Sequence, residues 1–119
     1  MNNSSNAASD MKTIAHQRYA ITVDFIIKEE YLADFMKRVQ ENAIASVRDE
    51  PQCYRFDILT PTDTHQNHVF LYEIYETLEA FEHHLTTQHF KLFDQATAHM
   101  VVAKTPHGFL VTENAKGSP

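Results

Sequence analysis

Two segments with the period of a pleated strand constrain this chain most. Tyr54, Phe56 and Ile58 alternate along one, and Phe70, Tyr72 and Ile74 along the other. Alternation of this kind puts the apolar set on one face of a sheet. The opposite faces are mixed: Arg55, Asp57 and Leu59 in the first segment, Val69, Leu71, Glu73 and Tyr75 in the second. A charged group among large apolar neighbours is costly to desolvate without a partner. The pattern therefore asks for a small sheet whose second face is also covered and carries polar groups.

The remaining periodicities complete the order of elements. Tyr19, Ile21, Val23 and Phe25 alternate and predict a first strand near 18–27. Leu32, Phe35, Met36, Val39, Ala43 and Val47 recur at three- and four-residue steps, which predicts a helix over about 29–49 with one buried face. Pro51 marks the end of that region. Strands follow near 53–60 and 68–76, joined through the turn residues Pro61, Thr62, Asp63 and Thr64. Thr77 can cap a short helix around 78–85, and Thr86 or Thr87 can start another around 87–102. A last strand is predicted near 107–113. Residues 1–17 read as a disordered arm and 114–119 as a flexible tail, leaving one domain over 18–113.

The order is β-α-β-β-α-β with the second helical region broken in two. That is the α+β, ferredoxin-like split βαβ arrangement, an antiparallel sheet with helices on one face. Apolar residues nevertheless occur on both strand faces, with Ile26, Leu59, Leu71 and Tyr75 opposite the other set. A broad apolar surface left in water marks an interface. The expected partner is a second copy, packed sheet face to sheet face as a homodimer.

Charge and composition remove several function classes. The net charge of −6 argues against binding nucleic acid through its phosphates. No run of about 18 apolar residues is present to span a membrane, and no basic-then-apolar leader opens the chain. A lone cysteine, Cys53, allows no internal disulfide and reads as a small core residue. These features together point to the cytoplasm. With only two glycines there is no phosphate-cradling loop, so no nucleotide or flavin cofactor is expected. No metal is expected either, because His84 and His89 are not spaced to share one helical face.

Candidate chemistry lies in a handful of polar residues. Asn42 and Ser46 fall on the apolar stripe of the first helix, so each is either hydrogen-bonded in the core or lines a pocket. For Ser46 a bond back to the carbonyl four residues earlier is the simpler account. Arg55, Asp57 and Glu73 sit on adjacent strands, where an ion-pair network competes with a catalytic role. In the functional reading Glu73 positions a neighbouring His or Arg. Of eight histidines, His84 and His89 stand out because they flank the Thr86–Thr87 break between helices. A helix junction over a sheet can aim an imidazole into a cleft, where it moves protons near neutral pH.

The sequence also carries a composite motif. It runs Asn42…Ser46…Glu50-Pro51-x-Cys53-x-Arg55-Phe56-Asp57, then Tyr72-Glu73-x-Tyr75, then Ala80-Phe81-x-x-His84-x-x-Thr87-x-His89-Phe90. Over roughly residues 18–112 this resembles the antibiotic biosynthesis monooxygenase (ABM) domain. The resemblance implies a dimeric α/β barrel. It further implies one of three activities: cofactor-free oxygenation of quinols, degradation of haem, or isomerisation of a phosphorylated autoinducer. The absence of Trp argues against the haem branch. Ala43 stands where the isomerase is expected to carry His.

The reading carried forward is a cofactor-independent monooxygenase acting on a small quinol-like or enolisable molecule with molecular oxygen. His89 would be the base, Asn42 would orient a substrate oxygen, and Arg55 would stabilise an enolate. Ser46, Glu73, His84 and Tyr72 would line the substrate site. An isomerase using the same proton-handling groups, and a non-catalytic dimeric binding module, are the alternatives.

Overall fold

The computed structural model describes residues 17–63 and 67–113. The expected disordered arm and tail lie almost wholly outside these residues, as do His16, Thr64 and His65.

Four strands and three helices follow the expected order. They are β1 (Tyr19–Ile27), α1 (Leu32–Asp49), β2 (Cys53–Leu59), β3 (His68–Tyr75), α2 (Leu78–His84), α3 (Gln88–Thr97) and β4 (Val101–Leu110). Short 3-10 turns, Glu29–Tyr31 and Ala98–Met100, lead into α1 and out of α3. The sheet is antiparallel in the order β2-β3-β1-β4, the ferredoxin-like arrangement.

The core forms where the inner sheet face meets the helices. Ile21, Val23, Phe25 and Ile27 from β1 pack with Val69, Leu71 and Tyr75 from β3, and with Phe35, Val39 and Phe93 from the helices. On β3 the inner face is Val69, Leu71, Glu73 and Tyr75, all buried, the face whose polar member made it look mixed in the sequence, and Ile74 on the outer face is buried as well. The Phe25 ring centroid lies 5.0 Å from that of Phe35 and 6.4 Å from that of Phe93. Aromatic pairs at these separations add directional packing to area burial.

Both helix starts after β3 are set by threonine. The Thr77 side chain accepts from the Ala80 amide at 3.1 Å, and that of Thr87 accepts from the Phe90 amide at 3.3 Å. Each satisfies one of the orphan donors of a first helical turn. The Thr87 hydroxyl also donates to the His84 carbonyl at 2.7 Å, which ties the end of α2 to the start of α3.

The last strand corrects the sequence reading. The helix expected to reach residue 102 ends at Thr97, and β4 begins at Val101 rather than near 107. Val101 and Val102 are β-branched, and the segment 103–110 has β1 to pair with. Pro106 lies inside β4 opposite Val23. Proline is tolerated there because β4 is an edge strand.

Candidate active site

Three element ends converge under the sheet. Glu50 caps the C-terminus of α1, where its amide donates to the Ser46 carbonyl at 3.0 Å. His84 is the last residue of α2, and His89 is the second residue of α3. The Glu50 carboxylate receives both imidazoles on one oxygen: His84 Nδ1 lies 2.7 Å and His89 Nε2 2.5 Å from Oε2. The Glu50 and His84 side chains are 7% and 2% exposed, so the carboxylate owes its satisfaction to these two rings rather than to water.

This contact fixes the tautomer of His84. With Nδ1 donating to the carboxylate, Nε2 keeps its lone pair. The ring's hydrogen bonds among the described residues are all made at Nδ1, and the ring lines a mostly apolar cavity. Burial pushes the His84 pKa below the ordinary imidazole value, with the Glu50 hydrogen bond opposing that shift. The ring is therefore a neutral acceptor at neutral pH.

The cavity has a volume of about 440 Å³ and lies between the inner sheet face and the helices. Ile21, Val23, Leu71, Phe81, Phe90 and Phe93 give it an apolar wall, and Asn42, Glu73, His84 and Lys104 supply the polar groups. That is the size and character of a small-molecule site. Glu73 is 3% exposed and accepts from the Tyr75 hydroxyl at 2.6 Å. Burial raises its pKa to about 7, against the lowering effect of the Tyr75 hydrogen bond. At one mouth of the cavity, Tyr19 lies across Gly108, and its ring packs 5.4 Å from that of Phe81.

The residues singled out in the sequence separate into two groups. Asn42, Glu73 and His84 meet in the main cavity. Ser46 sits just behind it: its hydroxyl donates to the Asn42 carbonyl at 2.7 Å, the back-bond expected from the sequence, and lies 3.5 Å from His84 Nδ1. His89 is turned away by its bond to Glu50. It shares with Asn42 a second cavity of about 500 Å³ formed by α1 and α3, not the one under the sheet.

Arg55 and Tyr72 alternate with Phe56 and Glu73 along paired strands, so they occupy the opposite sheet face. There Arg55 pairs with Asp57 at 3.2 Å, and its guanidinium carbon lies 5.9 Å from the centre of the Tyr72 ring. The structure does not bring these two to the cavity, and Glu73 takes no part in the Arg55–Asp57 pair. Cys53 is buried, and burial raises its thiol pKa to about 12, which leaves it unreactive.

Glu50 is the functional candidate that the sequence reading quoted within the composite motif but gave no role. A signal was present. The buried stripe Phe35, Val39, Asn42, Ser46 reaches Glu50 at its next step, and a carboxylate on such a stripe requires donors.

Comparison with known proteins agrees with this architecture. The sequence profile described as antibiotic biosynthesis monooxygenase matches residues 18–96. A candidate antibiotic biosynthesis monooxygenase from Bacteroides thetaiotaomicron is similar, at 25% identity and a TM-score of 0.78, over 85% of this chain and 95% of its own. One from Nitrosomonas europaea is 26% identical with a TM-score of 0.72, over 76% of this chain and 95% of its own. No curated protein matches the chain. A profile match over residues 18–96, well over half of the sequence, means that the chain belongs to the antibiotic biosynthesis monooxygenase family.

Proposed function

We propose that the protein is a cofactor-independent monooxygenase of a small quinol-like or enolisable substrate, with His84 rather than His89 as the base. The observation that carries this reading is the Glu50–His84 pair, which offers an unpartnered imidazole nitrogen to an apolar cavity. The substrate's phenolic or enolic proton passes to Nε2. The imidazolium that forms is held by the Glu50 carboxylate through Nδ1–H. Asn42 donates from its amide to the substrate oxygen, and Glu73 is a carboxyl able to give or hold a proton near neutral pH.

The electrons come from the substrate. The carbanion formed on deprotonation adds to molecular oxygen through an electron-transfer step. For a ring methylene beside a phenol the balance is CH2 plus O2 giving C=O plus water. One oxygen atom enters the product, the other leaves as water, and the substrate loses four electrons. An apolar wall excludes water from the carbanion.

Dimerisation belongs to the same proposal. From Val102 to Leu110 every residue of β4 is exposed, and Leu59, Val102 and Phe109 are large apolar side chains facing solvent. A second copy laid on the outer sheet face would cover Leu59 and Phe109.

The test is oxygen uptake with a 1,4-naphthalenediol and an anthrone. Wild-type protein should consume oxygen well above the buffer rate on at least one of them. His84→Asn should lower turnover roughly 100-fold or more if His84 is the base, while His89→Asn costs less. Equal turnover in wild type and His84→Asn would overturn the assignment. Solvent deuterium entering the substrate without oxygen uptake would favour the isomerase, which the facing pair of His84 and Glu73 also suits. Ligand retention with neither reaction would favour a binding module.

A further inference from the structure

We infer that Glu50, His84 and His89 form a site for one divalent transition cation, with zinc(II) the best match. The donor atoms Glu50 Oε2, His84 Nδ1 and His89 Nε2 all lie within 4.8 Å of one another. Two imidazoles and one carboxylate are a donor set that zinc takes with a fourth position left open. Each donor is anchored at the end of a different helix, so the cluster is held by the backbone rather than by one flexible segment.

Little rearrangement is needed. The two nitrogens now hydrogen-bond to the carboxylate at 2.7 and 2.5 Å. Around a tetrahedral zinc, with bonds of about 2.0–2.2 Å, neighbouring donors stand about 3.3 Å apart, so the two nitrogen–oxygen pairs open by less than about 1 Å and the two nitrogens close by about 1.5 Å at most. His89, half-buried in the first turn of α3, has room to make that movement. Both rings ligate as neutral imidazoles, His84 through Nδ1 with its proton on Nε2 and His89 through Nε2 with its proton on Nδ1. The dication then supplies a positive charge beside a nearly buried carboxylate. His89 borders the second cavity, from which water can reach the cluster and complete the shell.

A zinc-bound His84 carries its proton on Nε2 and cannot act as the proposed base, so the metal-bound form is expected to be inactive in oxygenation, and the test of the site reads metal directly. Chelator-stripped protein is titrated with zinc chloride by calorimetry, and retained zinc is measured by elemental analysis after gel filtration. One zinc per chain is expected, with cobalt(II) giving the visible band of a tetrahedral site. His89→Ala should weaken binding roughly 100-fold or more, and Glu50→Gln likewise, while His107→Ala on the edge strand leaves it unchanged. Circular dichroism checks that each variant is folded, and should Glu50→Gln unfold, the half-buried His89→Ala decides alone. No retained zinc, or equal zinc affinity in wild type and folded His89→Ala, overturns the site.

Discussion

Glu73 shows how one buried side chain couples the cavity to pH. Its carboxyl pKa rises to about 7 because burial disfavours the charged form. A carboxyl raised in the folded state contributes stability that is complete below the unfolded value, 4.5, and is lost as pH climbs through 7. The loss amounts to about 3 kcal/mol at most. Glu73→Gln, which keeps an acceptor for the Tyr75 hydroxyl, should therefore be the more stable protein at pH 8 and should flatten the stability profile between about pH 4.5 and 7. Urea titrations across that range check it, and identical profiles would reject it. Asn42→Ala should abolish ligand binding for a stability cost of about 1 kcal/mol, read by calorimetry and thermal melts. At this scale the sequence was partly legible. A polar residue on an apolar stripe must be satisfied, and that argument found Asn42 and Ser46. The sequence reading named His89 rather than His84 as the base without the contact that bears on that choice, because Glu50 reaches both rings only after three helix ends meet.

At the scale of elements, β1 and β4 meet where space is tightest. Gly108 pairs with Ile21, and a methyl group at this position would overlap the Tyr19 phenol. The phenol is the far end of a side chain that can rotate, so Gly108→Ala should cost about 1 kcal/mol or less in stability. The displaced ring lies at the cavity mouth beside Phe81, so ligand on-rate or KM should shift more than Tm does. Unchanged kinetics with a large fall in Tm would show Tyr19 to be a packing residue only. Strands β1, β2 and β3 and helix α1 were readable from their apolar periods, and Thr77 and Thr87 announce the starts of α2 and α3. The span of β4 was not readable. Its residues are exposed on both faces, so no alternation marks it, and its pairing with β1 is a long-range contact that local sequence does not encode.

For the whole molecule, the question is what covers the outer sheet face. The half-buried Phe70 and Tyr72 and the exposed Leu59 lie there. A homodimer should scatter light as twice 13.7 kDa at micromolar concentration, and a monomer would reject the face-to-face arrangement. No helix among the described residues is long and apolar enough to cross a membrane. β4 adds a consequence in time rather than in space. It is hydrogen-bonded along one side only, to β1, with almost no side-chain burial to hold it. Such a strand opens locally far more often than the rest of the sheet. Its amides should exchange with solvent deuterium orders of magnitude faster than those of β3, and dilution should speed them further as a covering copy departs.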